Sequence, residues 1–131
     1  MCKFSPNFAN YVICSKTKEK IEIKTNLDCT SSNIIYCITC KKDTGPCSIL
    51  NPQYIGESSR SISRRFNEHN SSIKQGSTKA VGKHFSENGH EKKDMSIVPF
   101  EQIKSKDPWI RIAREKHFIK LFDATLNVKM N

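Results

Sequence analysis

Asn33-Ile-Ile-Tyr36-Cys-Ile-Thr-Cys40, a loop to Pro52, Gln53-Tyr54-Ile-Gly56-Glu57, and then Ser58-Ser-Arg-Ser-Ile62-Ser-Arg-Arg65-Phe66-Asn-Glu-His69: this stretch decides the fold. The first run is short, apolar and rich in β-branched residues, so it predicts a buried strand over about Ile34 to Thr39. A period of two puts Tyr36 and Ile38 on one face and Ile35 and Cys37 on the other. The second run predicts a short strand closed by Gly56, after which Ser58-Ser59 can cap a helix. On that helix Ile62 and Phe66 are four apart and supply the buried stripe. Arg65 and His69, also four apart, share an adjacent face. Two tyrosines on neighbouring strands, with an Arg and a His on the next helix, form one convergent polar cluster.

Outward from this centre the pattern stays that of a small mixed domain. Tyr11–Cys14 and Ile21–Thr25 flank a lysine-rich turn, and Ile21 and Ile23 alternate with charged residues, which predicts a β-hairpin with one wet face. Whether this hairpin is an accessory unit or a remnant of something larger is open. Residues 1–30 are assigned to this N-terminal extension and 31–131 to the main domain. The loop Cys40–Pro52 holds Gly-Pro and Asn-Pro breakers and is long for a plain hairpin connection. A second helix is expected from about Ser77 or Thr78 to Glu87, stopped at Asn88-Gly89. Met95–Ile103 predicts a strand whose Pro99 marks an edge or a bulge. Asp107-Pro108 is a helix start, and the helix Trp109–Phe122 offers Trp109, Ile112, Ala113, Ile119 and Phe122 for packing. The order β-β-α-α-β-α gives an α+β fold: a small, mainly antiparallel three-stranded sheet flanked by helices.

Composition bounds the function. The chain has 131 residues, enough for one domain with a modest core. Its 22 Lys and Arg against 13 Asp and Glu leave a net charge of +9, which favours a polyanionic partner, nucleic acid above all. No apolar run is long enough to span a membrane and no secretory leader is read at the N-terminus, so the chain is expected to be intracellular and nuclear. Six cysteines would permit a disulfide scaffold. The lysine richness and the clustering of Cys37, Cys40 and Cys47 fit reduced thiols and a metal site better.

Two constellations carry chemistry. Phosphodiester cleavage needs an activated water, charge stabilisation on the phosphorane oxygens, and help for the departing 3′ oxygen. Arg65 suits the second task, because a guanidinium grips two phosphate oxygens and keeps its charge. Glu115 suits the third by holding a hydrated Mg²⁺ or Mn²⁺. The other constellation is Cys40-x6-Cys47 with His84-x5-His90, two thiolates and two imidazoles that suit a closed tetrahedral Zn²⁺ site. Cys37 could replace Cys47 through Cys37-x2-Cys40. Cys47 is preferred, because Cys37 falls within the strand.

Through these residues the chain resembles the GIY-YIG nuclease family, with Ile34-Ile35-Tyr36 in the place of GIY and Tyr54-Ile55-Gly56 as YIG. The paired cysteines between the tyrosine motifs and the downstream histidine pair look most like the endonuclease domain of Penelope-like retroelements. The resemblance covers roughly residues 33–128. It implies a metal-dependent DNA endonuclease of nicking type, with structural zinc and a site of Tyr36, Tyr54, Arg65, His69 and Glu115. Tyr36 would act as general base or position the water, and Tyr54 would bind phosphate or support Tyr36. His69 would take a proton or hold the phosphate, Glu115 would hold Mg²⁺, and Asn127 falls where the family often keeps a closing Asn. Ile34 departs from the motif glycine, which keeps open an alternative: a catalytically inactive, zinc-containing nucleic-acid-binding module derived from the same fold.

Overall fold

The computed structural model describes residues 11–22, 27, 29–74, 80–87 and 89–127. In chain order the elements are β1 (Tyr11–Ile13), β2 (Lys20–Glu22), β3 (Ile34–Cys40), α1 (Cys47–Leu50), β4 (Gln53–Ser58), α2 (Ile62–Lys74), α3 (Ala80–Ser86), β5 (Met95–Gln102) and α4 (Pro108–Phe122). Strands β4, β3 and β5 form an antiparallel sheet in that order, and β1 pairs with β2 in a separate antiparallel hairpin.

Strand β3 is central because both of its faces are apolar and both are covered. Tyr36 and Ile38 pack with Ile62 and Phe66 of α2 and with Val81 and Phe85 of α3. Ile35 and Cys37 point the other way, into a cluster with Val12, Cys14, Ile55 and Phe122. A one-residue slip of β3 would exchange the two sets and take Tyr36 out of reach of α2. Pro99 meets the expectation of an edge and a bulge together. It pairs with Tyr36 while Glu101 pairs with Ile35, so Phe100 has no partner on β3 and the register shifts there. Phe100 instead meets Phe118 of α4 edge to face and stacks on Phe122, at centroid distances of 4.8 and 5.8 Å.

Helix α4 starts as expected, with the Asp107 carboxylate accepting from the Trp109 N–H at 3.0 Å ahead of Pro108. Its expected packing set needs correction. Trp109 is 73% exposed, and Ala113 is exposed too. The helix touches the core through its C-terminal half, Phe118, Ile119 and Phe122. The half that carries Trp109 is held by ion pairs, Arg111 to Glu57 and Arg114 to Glu101. The cap of α2 is also displaced from Ser58-Ser59. The helix opens at Ile62, and the Ser61 hydroxyl, not theirs, accepts from the Arg64 N–H at 3.4 Å.

The hairpin spans Tyr11 to Glu22, and the expected extension of its second strand to Thr25 lies outside the described residues. So do Ser77, Thr78 and Asn88, where the ends of α3 were expected, whereas Gly89 has the left-handed φ of +72° that suits a helix stop. Cys14, Cys37, Cys40 and Cys47 are free thiols. Cys29 is disulfide-bonded, which departs from the expectation of reduced thiols throughout.

Candidate active site and metal centre

Tyr36 and Gly56 are directly opposite each other on β3 and β4, and the far end of the tyrosine ring comes up against the glycine. A Cβ at position 56 would stand 2.4 Å from both Cζ and Oη of Tyr36, so only glycine lets the ring lie there. Tyr54, two residues before on the same strand face, places its ring 6.4 Å from that of Tyr36. Helix α2 then brings Arg65 and His69 over the pair. The Arg65 Nε–H donates to Tyr36 Oη at 3.0 Å, and Tyr36 Oη lies 2.9 Å from His69 Nε2. In the tautomer with the imidazole proton on Nδ1, the oxygen accepts from Arg65 and the phenolic proton has His69 Nε2 as its acceptor. The His69 ring meets both tyrosine rings edge-on at 5.8 Å.

Burial sets the protonation of this group. Tyr36 is fully enclosed, and desolvation, aided by Tyr54, pushes its hydroxyl far above the ordinary phenol range against the pull of Arg65. Desolvation and then the Arg65 charge hold His69 down at about 3, so it is a neutral acceptor at physiological pH. Arg65 keeps its charge: burial works against it, and Tyr36, Tyr54 and Glu68 outweigh burial. Glu68 is itself clamped by Arg60 at 2.8 Å.

Outside this enclosed pair lies a cleft of about 1070 Å³, with Tyr54, Arg65, His69 and Glu115 in its wall. Burial and the neighbouring Glu57 carboxylate raise Glu115 above the usual carboxylate range. A half-buried carboxylate in the cleft wall is a hard oxygen donor of the kind that divalent cations take. All five residues singled out in the sequence therefore meet in one place, with Tyr36 one layer behind the cleft and Tyr54 at its surface. Asn127 lines the same cleft and braces its wall. Its Oδ1 accepts from the Ile55 N–H at 2.9 Å and its Nδ2 donates to the Ile55 carbonyl at 2.8 Å, closing the open edge of β4 between Tyr54 and Gly56.

The cysteine and histidine residues converge at the other end of β3. Cys40 ends that strand, Cys47 opens α1, His84 lies on α3 and His90 follows its exit turn. One ligand atom from each lies within 4.8 Å of all the others. Cys47 Sγ is 3.7 Å from both His84 Nε2 and His90 Nε2. Zinc bonds of about 2.3 Å to sulfur and 2.0–2.1 Å to nitrogen, set tetrahedrally, separate S and N by about 3.5 Å, so the group fits a Zn²⁺ ion. His90 Nδ1 is bonded to the Glu87 carbonyl, which leaves Nε2 for a metal. Cys37 is excluded, buried on the opposite face with Ile55 and Phe122. The loop has supports besides a metal: Cys40 N–H donates to the Pro52 carbonyl at 2.9 Å and Lys41 N–H to that of Asp94 at 2.6 Å.

Two participants escaped the sequence reading. Glu57 was read only as the end of a strand, yet it is paired with Arg111 and sits close enough to Glu115 to raise its pKa. Lys16, in the hairpin turn, lines the cleft. Neither has a local signal, because each depends on a contact between distant parts of the chain.

Among the described residues no helix is long and apolar enough to cross a membrane. No curated protein and no solved structure matches the chain. Residues 32–131, well over half of it, match the GIY-YIG catalytic domain. The three-stranded antiparallel sheet, the tyrosine facing its glycine and the family match agree, and the chain belongs to the GIY-YIG catalytic domain family.

Proposed function

We propose that the chain is a divalent-metal-dependent DNA endonuclease that nicks one strand, related to the endonuclease domain of Penelope-like retroelements and stabilised by zinc at Cys40, Cys47, His84 and His90. The observation that carries this reading is the Tyr36 hydroxyl, held between Arg65 Nε and His69 Nε2 behind a cleft to which Glu115 contributes a carboxylate. A basic chain of net charge +9 suits a DNA substrate, and a nuclear location would follow from it. Residues 31–131 would form the nuclease domain and 1–30 an extension to it.

In this reading Glu115 holds Mg²⁺ or Mn²⁺, which when bound supplies Lewis-acid charge to the scissile phosphate. The chain's own residues handle orientation and charge. Arg65 faces the cleft and sets its fixed charge against the phosphorane oxygens. Tyr36 Oη, fixed between Arg65 Nε and His69 Nε2, positions the attacking water. Tyr54, at the cleft surface, contacts the phosphate that Tyr36 is too enclosed to touch.

That enclosure is the observation that favours the second reading, an inactive nucleic-acid-binding module. A phenol raised by burial is a poor base until a substrate or ion changes its surroundings. Ile34 gives that reading no support: it is fully buried in regular pairing with Ser58 and Gln102, where no glycine-only conformation is needed. Supercoiled-plasmid nicking with added Mg²⁺ or Mn²⁺ separates the two. The endonuclease reading expects nicked circles from the wild type, and little or none from Glu115→Ala or Tyr36→Phe. Arg65→Ala should lose about 3 kcal/mol of transition-state stabilisation, on the order of a hundredfold in rate. Salt-sensitive DNA binding with no cutting under either ion would select the binding module.

A further inference from the structure

The hairpin lies outside residues 32–131, yet its turn reaches the cleft. Its position is fixed by Gln53, which is buried at the start of β4. Gln53 Nε2 donates to the Ile13 carbonyl at 2.8 Å, and its Oε1 accepts from the Ser15 N–H at 3.0 Å. The Ser15 hydroxyl donates to the Asn51 carbonyl at 2.6 Å. Val12 and Cys14 are buried with Ile55 and Val98 beneath the same strands. Four bonded or packed residues in a row leave the turn little freedom, and the next side chain along is Lys16, exposed in the cleft wall.

Lys116 and Lys120 of α4 line the same cleft, one turn apart on one side of the helix. Among the described residues no carboxylate lies within ion-pair distance of Lys16, Lys116 or Lys120. Asp123 also lines the cleft, and Lys116 acts on Glu115 from beyond that range. Three exposed ammonium groups beside a phosphodiester site are suited to phosphates along one strand.

We propose that the N-terminal hairpin is a DNA-backbone-binding arm of the cleft, with Lys16 taking one phosphate alongside Lys116 and Lys120. This rests on the endonuclease reading above and adds to the nuclease domain an element that its family match does not cover. The arm recognises the phosphodiester backbone and not base edges, so its contribution is the same for any sequence.

The test is anisotropy of a short labelled duplex of mixed sequence, titrated over a series of salt concentrations without added divalent ion. Lys16→Ala should weaken binding about five- to tenfold and lower the slope of log affinity against log salt by about 0.9, the share of one phosphate. Lys16→Arg should restore both, and thermal melting should show all variants folded. Lys104, exposed and outside the cleft, serves as control: the loss in Lys104→Ala should be clearly smaller. The arm is overturned if Lys16→Glu keeps wild-type affinity and slope while the double variant Lys116→Glu, Lys120→Glu loses both. It is overturned equally if Lys104→Ala loses as much as Lys16→Ala. A wild type without any salt-sensitive DNA affinity would overturn the endonuclease reading, and the arm with it.

Discussion

Replacing Gly56 by alanine tests the geometry of the site without presupposing its chemistry. The added methyl would lie 2.4 Å from Cζ and Oη of Tyr36, where ordinary contact begins at 3.4 Å. Relief therefore needs a retreat of roughly 1 Å by a ring that is fully buried, on a side chain pinned at its tip. Gly56 has no left-handed φ, so the backbone raises no objection, and alanine in a strand would otherwise gain a few tenths of a kcal/mol. The clash decides the sign. Overpacking of this kind costs about 1–3 kcal/mol. A ring shift of that size also stretches the bonds to Arg65 and His69, at about 1 kcal/mol each. The sum, about 3–5 kcal/mol, is a large part of the stability of a small domain and predicts a melting temperature lower by about 10 °C or more.

The assay is thermal unfolding of a double-mutant cycle. In a Tyr36→Ala background the space left by the ring accepts the new methyl, so Gly56→Ala should cost almost nothing there, a coupling of about 2 kcal/mol or more. If Gly56→Ala melts like the wild type, or costs the same in both backgrounds, the close approach of ring and backbone is not what requires glycine. The nicking rate gives a second readout, because displacing a reacting group by about 1 Å is commonly worth a hundredfold.

Burial of a neutral His69 ties stability to pH. Its native pKa is about 3 against the usual value near 6.5, so between these limits the unfolded chain binds a proton that the native state refuses. This contribution is neutral above about pH 6.5 and removes stability as pH falls towards 3, by up to about 1.4 kcal/mol per pH unit. His69→Gln should flatten that part of a denaturant-derived stability profile, and an unchanged acid limb would refute the assignment. Asn127→Ala removes both bonds to the Ile55 backbone and should cost about 1–3 kcal/mol in urea unfolding. Asn127→Asp should cost no less, since it sets an acceptor against the Ile55 carbonyl; stability at wild-type level in either variant would show that the edge closes without it. Elemental analysis should find one zinc per chain, absent from Cys40→Ser and His84→Ala. Strong chelation should lower the melting temperature cooperatively, and metal-free protein that melts like the purified form would end the zinc assignment.

Much of the site is legible in the sequence because strand parity carries it. Tyr36, Ile38 and Cys40 alternate onto one face, and helix spacing brings Ile62 and Phe66 onto that face together with Arg65 and His69. The same parity chooses between the cysteines. Cys40 shares the face of α3, which carries His84, whereas Cys37 is turned away from it. Parity and spacing fail where a tertiary contact overrides the local pattern. Trp109 is the largest apolar residue of α4 and would be taken for an anchor, but ion pairs from Arg111 and Arg114 hold that half of the helix while the tryptophan stays in solvent. Nothing near Lys16 says that it enters a cleft, because its position is set by Gln53, 37 residues away in the chain.

The metal centre and the cleft are linked through α3. Ala80, Val81 and Gly82, at the start of that helix, line the cleft, while His84 and His90, at its end, join Cys40 and Cys47. A seven-residue helix has too few internal hydrogen bonds to be stable alone. Its place comes from Val81 and Phe85 in the core and from the cysteine–histidine group at its exit. A zinc ion there would bind the end of the central strand to the helix that forms one wall of the cleft, so loss of zinc should loosen that wall before it disturbs the tyrosine pair. Tyr36 and Gly56 are held by β3–β4 pairing and by α2, which do not pass through the metal group. On amide exchange during chelation, α3 and the loop 41–52 should therefore lose protection first, with β3, β4 and α2 following only at global unfolding. Simultaneous loss across both groups would mean that the metal centre supports the whole sheet and not one wall of the cleft.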